Sequence, residues 1–416
     1  MNKEIRLFEM FAGIGSQYKA LKNVYKNSDK NVISVGCCDF YIDAIVSYMT
    51  IHYGTLNPEL DMSKDDMINA LKHHYFSSDS KEKVKENYFN KMKEQRLRSL
   101  FPYLYSYINN DYFNLKYNRE NSCGINRERE RERESGTDIS VYKKLPKSID
   151  ILTYSFPCQD LSQQGKQRGL GKNTRSGLLY QIERILKLNK DRLPRILLLE
   201  NVKALTSKKF INDFEKWIKT LDNLGYKSKY AILNSTNYGS CQNRERVFMI
   251  SVLKSENVDI KFPPKVLNSI PKKHLEDIII NPYDGNNLSN LLKYKHTEFK
   301  KSSAGIIKSK LINYTKFNSE AYIYKPLGVG PTLTASGANS RIKFFFEENK
   351  ILRLINEIEA YQYMGFTKDD AIKVKNTNLI SSNKMIFTCG NSISVEVLEA
   401  IFSEIKKAYE NTNNTK

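Results

Sequence analysis

Over the first 255 residues, apolar runs about as long as a strand alternate with segments whose apolar positions are spaced as in a helix. The strand candidates are Arg6 to Phe11, Val32 to Cys38, Ile149 to Ser155, Ile196 to Leu199, Lys229 to Leu233 and Val247 to Val252. The helix candidates follow Gly15 and Asp39 and cover Gly177 to Leu188 and Asp213 to Leu224. This alternation predicts a doubly wound, parallel α/β sheet that binds its ligands at the carboxyl ends of the strands.

The alternation of strand and helix patterns is interrupted between Asp61 and Lys144 by a polar stretch that is rich in Lys, Asn and Tyr. It contains the run Arg127 to Glu134, in which Arg and Glu alternate strictly. Strict alternation puts like charges at i and i+4, which opposes a helix in that run. We therefore expect a mobile surface insertion over about residues 63–145, and an arm that grips DNA is the alternative.

From Pro263 onwards the segments are short and poorly periodic, which predicts a second, smaller domain. The last amphipathic pattern, which includes Val395 and Phe402, predicts a helix that returns to the large domain. The expected division is 1–255 for the large domain, 256–375 for the smaller domain and 376–416 for the returning segment.

The chain has 66 Lys and Arg residues against 46 Asp and Glu, a net charge of +20. Such an excess is typical of proteins that bind a polyanion, above all nucleic acid, although the coding bias of an AT-rich genome is an alternative source. The six cysteines form no CxxC pair and have no metal-ligand spacing with the five histidines. We therefore expect a reduced, cytoplasmic protein with no metal site, no export signal and no membrane span.

A glycine turn, Ala12-Gly13-Ile14-Gly15-Ser16, follows the first strand, and Asp39 closes the second. Such a turn lets the backbone approach a ligand, and the acidic residue can bind ribose hydroxyls. No third glycine at dinucleotide spacing and no Gly-Lys-Ser/Thr follows. The pattern therefore favours an adenosine-type cofactor without phosphates, with Phe11 as a ring partner.

Cys158 follows the strand candidate that ends at Ser155, where a nucleophile would be delivered. A cysteine reacts as its thiolate, so it needs positive charge nearby. Taken alone, such a cysteine is more often a buried structural residue.

Glu200 ends an apolar run, and a carboxyl group shielded from water there could act as an acid. Arg244 and Arg246 precede another strand, and alternation puts both on one face, where they could hold a phosphate or a carbonyl oxygen. Taken singly, Glu200 fits a surface or helix-capping role and the arginines fit a surface ion-pair ladder.

Together these segments resemble the cytosine-5 DNA methyltransferases. The resemblance rests on the order of Phe11 to Gly15, Pro157-Cys158-Gln159, Glu200-Asn201-Val202, Gln242 to Arg246 and Gly390-Asn391-Ser392. It implies a Rossmann-like, S-adenosylmethionine-dependent methyltransferase domain with a smaller target-recognition domain. It also implies transfer of a methyl group from S-adenosylmethionine to C5 of a flipped cytosine in duplex DNA, in restriction-modification or as a solitary enzyme. The loop from Thr332 to Arg341 resembles that of bacterial CpG-specific members.

By resemblance, the Cys158 thiolate attacks C6 of cytosine, Glu200 hydrogen-bonds or protonates N3, and Arg244 binds the base carbonyl with Arg246 beside it. The residues that the resemblance places around the cofactor are Phe11, Gly13, Gly15, Asp39, Asp61, Leu178, Asn391 and Ser392. Asp39 stands where many relatives have Glu, and Arg175-Ser176-Gly177-Leu178 departs slightly from the sequence motif of the family.

A base must leave the duplex before it can be methylated, so something must fill its place. By resemblance, Gln164 enters the space while Lys166 and Arg168 hold phosphates. We expect sequence readout in the major groove from Thr332, Thr334, Ser336, Gly337, Ala338, Asn339, Ser340 and Arg341.

Other hypotheses are a tRNA cytosine-5 methyltransferase, which would share the catalytic motifs, and an inactive DNA-binding relative, which would be expected to lack Cys158 or Glu200. The incomplete glycine pattern disfavours a dinucleotide-dependent oxidoreductase. We expect a bacterial, DNA-associated monomer, with any cognate restriction endonuclease acting separately.

Overall fold

The computed structural model describes residues 4–117, 135–156, 175–265, 272–335 and 341–414, and it divides into two compact units. The first unit comprises Met1–Leu233, Glu245–Pro263 and Leu398–Lys416. The second comprises Asn234–Arg244 and Pro264–Val397. The chain therefore contributes the short segment Asn234–Arg244 to the second unit before the main part of that unit begins at Pro264. It returns to the first unit at Leu398 rather than at residue 376.

The first unit contains the doubly wound sheet that the apolar runs predict. Its strands are β1 (Glu4–Met10), β2 (Asn31–Cys38), β3 (Ile151–Tyr154), β4 (Ile196–Val202), β5 (Tyr226–Asn234) and β6 (Glu245–Leu253), in the order β2-β1-β3-β4-β6-β5. β2, β1, β3 and β4 pair in parallel, so their carboxyl ends share one edge of the sheet. β6 is antiparallel to β4, which differs from the wholly parallel sheet expected.

The helices of the first unit have buried positions that recur with helical spacing. They are α1 (Ser16–Tyr25), α2 (Ile42–Tyr53), α3 (Lys64–Leu71), α4 (Glu94–Ile108), α5 (Asn110–Tyr117), α6 (Leu179–Leu188) and α7 (Ile211–Asn223). On α7, for example, Phe214, Trp217 and Leu221 are buried. Trp217 also donates from Nε1 to the hydroxyl oxygen of Tyr154 on β3, 3.0 Å away. This bond anchors the helix to the sheet beside the strand that precedes Cys158.

The expected mobile insertion is wrong where residues 64–117 contain the three helices α3, α4 and α5. Leu97, Leu100, Phe101 and Leu104 are buried at helical spacing on α4, which packs against α2. Tyrosine and phenylalanine rings supply much of the remaining core, so a stretch that looks polar by composition still buries an apolar face. The Arg127 to Glu134 run lies outside the described residues.

The second unit contains a smaller sheet and a group of helices. Its strands are β7 (Lys300–Lys301), β8 (Ile307–Lys310), β9 (Tyr322–Tyr324), β10 (Lys343–Phe346) and β11 (Ile351–Leu354), in the order β11-β10-β9-β8-β7. Its helices are α8 (Asn318–Ala321), α9 (Glu357–Tyr363), α10 (Lys368–Asn376), α11 (Ser382–Asn391) and the start of α12 (Val395–Asn414). Leu311, Ile323 and Leu352 pack in its core.

One stretch of the described residues, Ser382–Asn411, is long and apolar enough to cross a membrane. Its most apolar window is 78% buried inside the protein, which is typical of a core helix. The stretch is also interrupted between α11 and α12.

Candidate active site

The glycine turn lies at the carboxyl end of β1, as expected. Phe11 and Ala12 donate their backbone N–H groups to the carbonyl oxygen of Cys38 on β2, at 2.8 and 3.2 Å. Phe11, Gly13 and Gly15 all have positive φ angles, of 58°, 57° and 80°. A Cβ atom on Gly15 would overlap the His52 ring, whereas one on Gly13 would meet no atom within 4 Å. Gly15 is therefore required by packing, and Gly13 faces open space.

Asp39 follows β2 and binds this turn. One carboxylate oxygen accepts from the backbone N–H of Gly13 at 2.8 Å, and the other accepts from that of Tyr41 at 2.9 Å. Burial raises the pKa of Asp39, and these backbone hydrogen bonds oppose the rise. The carboxylate therefore connects the ends of β1 and β2 and leaves further lone pairs for a ligand.

The structure shows a second carboxyl group at this edge that the sequence did not reveal, Asp138. Gly136 forms a parallel bridge with Cys38, and Asp39 donates its backbone N–H to the Gly136 carbonyl at 3.3 Å. Asp138 thus follows a short extension of the sheet beside Asp39.

Asp61, the residue expected near the adenine, instead has a side chain that is 80% exposed and an ion pair with Lys116 on α5. Both partners belong to the helical insertion. The described contacts of Asp61 are therefore with the helical insertion, and its contact with the adenine remains a prediction.

Glu200 and Arg246 form a partly exposed ion pair at the end of β4. Arg246 Nε lies 3.2 Å from Glu200 Oε1, and their side chains are only 19% and 11% exposed. The register pairs Val202 with Arg246 and Glu200 with Phe248, so the two charged residues are diagonal neighbours on one face. The pair holds the carboxylate at the edge of the sheet where the glycine turn lies.

The residue after Glu200 connects this site to the end of β3. Asn201 is buried and donates from Nδ2 to the carbonyl oxygen of Phe156 at 3.1 Å. Phe156 lies two residues before Cys158 in the chain. The backbone that leads to the cysteine is therefore held beside Glu200.

Arg244 does not share the environment of Arg246, contrary to the alternation argument. Its guanidinium donates to the carbonyl oxygens of Leu333, Gly390 and Ser392, at 2.7, 3.2 and 2.8 Å, all within the second unit. The residue is 4% exposed. β6 begins at Glu245, so Arg244 precedes the strand and alternation does not apply to it. Arg244 thus joins two segments of the second unit, and Arg246 is the arginine that contacts Glu200.

Comparison with known proteins assigns the chain to a family. Residues 113–407 match the model of the C-5 cytosine-specific DNA methylases. The chain belongs to this family. The orphan methyltransferase M.SssI of Spiroplasma monobiae is 43% identical over 97% of both chains. The type II methyltransferase M2.ScrFI of Lactococcus lactis subsp. cremoris is 30% identical over 97% of this chain and 99% of its own.

A solved structure of a putative prophage-encoded DNA modification methyltransferase from E. coli has a TM-score of 0.53 and 13% identity. It covers 98% of this chain and 99% of that chain, which shows a shared fold. The expected fold class and family are thereby confirmed. The chain is a DNA cytosine-5 methyltransferase that uses S-adenosylmethionine.

The edge formed by β1 and β2 fits this cofactor. The open space at Gly13 allows close approach to the main chain, and Asp39 offers a carboxylate for hydroxyl groups. Leu178 lies partly buried against the core in a 3-10 turn, and its cofactor contact remains a prediction.

In the second unit of the methyltransferase, the Thr332 to Thr334 segment is hydrogen-bonded to Gln242 and Asn243. Thr332 donates from its hydroxyl to the Asn243 carbonyl at 2.6 Å, and Leu333 donates its N–H to Gln242 Oε1 at 2.9 Å. A Cβ on Gly390 would overlap the backbone of Thr334 and Ala335. These contacts fix the base of the expected reading loop.

Arg341, the last expected reading residue, is 8% exposed and donates from its guanidinium to the Asn383 side chain at 2.5 Å. This position anchors the loop to α11 rather than presenting the guanidinium at the surface. Ser392 is buried and donates its hydroxyl to the Thr388 carbonyl at 2.9 Å, whereas Asn391 is exposed. Cofactor binding by Asn391 and Ser392 remains a prediction.

Several expected site residues lie outside the described residues: Cys158, Gln164, Lys166, Arg168, Ser336, Gly337, Ala338, Asn339 and Ser340. The cysteines that are described, Cys37, Cys38, Cys241 and Cys389, are all buried. Burial raises the pKa of Cys38 and Cys389, and raises that of Cys241 to about 12. These thiols are poorly suited to nucleophilic attack because the thiolate is the reactive form.

Proposed function

We propose that this methyltransferase acts on the cytosine of CpG in duplex DNA, with Cys158 as the nucleophile and Glu200 and Arg246 as the groups that hold the base. The observation that supports this assignment most strongly is the Glu200–Arg246 ion pair beside the Asn201–Phe156 hydrogen bond. That arrangement offers a carboxyl and a guanidinium group next to the backbone that leads to Cys158.

C5 of cytosine is a weak nucleophile, and attack of the Cys158 thiolate on C6 loads electron density onto C5 and N3. Glu200 then hydrogen-bonds or protonates N3, while Arg246 donates to the base carbonyl and offsets the charge that develops there. Arg246 also orients the Glu200 carboxylate. When bound, S-adenosylmethionine would supply the methyl group for C5 and leave as S-adenosylhomocysteine. Loss of the C5 proton to a base would then expel the Cys158 thiolate and restore the ring.

The role of base-carbonyl donor belongs to Arg246 in this proposal, in place of Arg244. Two nitrogen atoms of the Arg244 guanidinium already donate to main-chain oxygens. Gln242 Nε2 adds a bond to the Tyr363 carbonyl at 3.1 Å, so this part of the motif holds the second unit together.

CpG preference rests on the small, polar composition of the Thr332 to Arg341 loop and its resemblance to that of CpG-specific members. The name of the 43% identical relative, an orphan methyltransferase, supports a solitary enzyme, and that of the type II relative supports restriction-modification. A monomer in the bacterial cytoplasm remains part of the proposal.

The test uses S-adenosylmethionine and duplexes that contain 5-fluorocytosine within CpG or in other contexts. Because fluorine blocks the final elimination, we expect a denaturation-resistant adduct with CpG duplexes and none with Cys158→Ala. Equal trapping in every context would refute the CpG assignment. Trapping of tRNA alone would refute the DNA substrate.

A further inference from the structure

A cleft of about 540 Å³ opens on the helical insertion of the first unit, between residues 78 and 96. We name it the basic cleft because five cations line it: Lys83, Lys85, Lys91, Lys93 and Arg96. Asp79 and Glu82 are its acidic lining residues, so five positive and two negative charges leave a net charge of +3. All five cationic side chains are exposed.

The cleft lysines differ from other surface lysines of this unit. Lys187, Lys216 and Lys254 each lie within 4 Å of a carboxylate. Within the described part of the chain, no carboxylate lies that close to Lys83, Lys85, Lys91 or Lys93. Cations that outnumber the carboxylates around them repel one another, and such a group gains free energy when a polyanion binds.

The walls of the basic cleft are ordered by the backbone and by buried rings. Val84 donates its N–H to the Phe76 carbonyl at 2.8 Å, and the buried rings of Phe76 and Phe89 meet edge to face at 5.9 Å. Asp79 accepts from the backbone N–H groups of Lys81 and Glu82, at 2.8 and 3.0 Å. Its carboxylate is therefore engaged by the main chain, and the lysines are presented on a preformed surface.

The basic cleft begins at the same edge of the sheet as the active site. Ser77 forms a parallel bridge with Tyr41 and exchanges backbone hydrogen bonds with Phe40 and Ile42, just after Asp39. β2 is separated from β4 by β1 and β3, so the ends of β2 and β4 are about 14 Å apart, or about four base pairs of DNA.

We infer that the basic cleft is a second DNA-binding surface, which holds the phosphate backbone of the duplex several base pairs from the target cytosine. This inference rests on the duplex DNA substrate of the proposed function. The ligand is a continuous polyanion, because the cations are spread along the cleft. The cleft would add affinity without adding sequence preference.

The test compares the wild type with a cleft variant, Lys83→Gln/Lys85→Gln/Lys91→Gln/Lys93→Gln. Lys229 also pairs with a carboxylate, that of Asp259. The matched control, Lys187→Gln/Lys216→Gln/Lys229→Gln/Lys254→Gln, therefore removes the same number of charges from paired lysines of the same unit. Dissociation constants are measured for duplexes of about 8 and about 30 base pairs that share one central CpG, over a range of salt concentrations, because the shorter duplex ends before it reaches the cleft.

For the cleft variant we expect about tenfold weaker binding of the long duplex and a salt slope that is smaller by up to about 3.6, because each of the four lost phosphate contacts removes about 0.9 from the slope. The cleft variant should bind the short duplex with an affinity within about twofold of the wild type. The control variant should bind both duplexes with affinities within about twofold of the wild type. The inference would be overturned if the cleft variant lost equal affinity for both duplexes. It would also be overturned if both variants lost equal affinity for the long duplex, or if the cleft variant lost none. Failure of the wild type to form the fluorocytosine adduct would instead refute the proposed function.

Discussion

The glycine turn after β1 and the charged pair after β4 lie at one edge of the same sheet, but different groups shape them. Main-chain geometry forms the turn: positive φ angles, backbone N–H groups and the approach of His52 to Gly15. Two side chains from antiparallel strands form the pair, Glu200 and Arg246. The first region should therefore be sensitive to added volume, and the second should be sensitive to lost charge.

Glu200→Gln should have the largest effect, because it keeps the size of the side chain and removes the acid. We expect the single-turnover rate of methyl transfer to fall about 10³-fold, as for a lost general acid. Glu245→Gln is the matched control, since that exposed carboxylate pairs only with Lys203 among the described contacts. A Glu200→Gln rate within a few-fold of the wild type would remove Glu200 from the mechanism.

Gly15→Ala and Gly13→Ala should separate packing from ligand approach in the turn. At Gly15 the new methyl group would overlap His52, and we expect the free energy of unfolding to fall by about 3 kcal/mol. At Gly13 it would meet no protein atom, so we expect a loss of about 1 kcal/mol from the positive φ angle alone. Chemical denaturation measures both values.

Gly13→Ala should nevertheless weaken S-adenosylmethionine binding about tenfold in calorimetry, because its methyl group would project into the space that the cofactor is expected to use. Unchanged cofactor affinity in Gly13→Ala would mean that this face of the turn is not the binding surface.

The two arginines of the Gln242 to Arg246 motif should fail in different ways. Arg246→Gln should slow single-turnover methylation about 100-fold and change the free energy of unfolding by less than about 1 kcal/mol. Arg244→Gln should lower the free energy of unfolding by about 2 kcal/mol, because three buried carbonyl oxygens lose their donor. The opposite pattern would return the base-carbonyl role to Arg244.

Glu9 on β1 should make the stability of the cofactor region depend on pH. Burial raises its pKa to about 8, although Tyr48 and the Tyr18 backbone N–H bind its carboxyl group. Between about pH 4.5 and 8 the folded state thus holds a proton that the unfolded chain releases, so stability falls as pH rises, by at most about 1.4 kcal/mol per unit.

Glu9→Gln should remove this slope in denaturation experiments at several pH values. A slope that persists in the variant would assign the pH dependence to another group.

The order of strands and helices in the first unit could be predicted because buried parallel strands are continuous apolar runs. The reversed direction of β6 could not, since an apolar run does not specify strand polarity. The spacing of Leu97, Leu100, Phe101 and Leu104 did contain a helical signal, but the polar composition around these residues obscured it.

Within the site, Glu200 and Asp39 were predictable as residues that close strands. The position of Asp138 was not, because only a pairing across 98 residues, between Gly136 and Cys38, brings its segment beside the end of β2. The positions of the two arginines depend on where β6 begins, a boundary that alternation alone does not define.

The most direct test of the central assignment is a double-mutant cycle on Glu200 and Arg246, measured as single-turnover methylation at saturating DNA and cofactor. If the two side chains act as one unit on the base, the Glu200→Gln/Arg246→Gln enzyme should be about as slow as Glu200→Gln alone. If the two losses multiply instead, the residues act independently, and the ion pair is not the group that holds the cytosine.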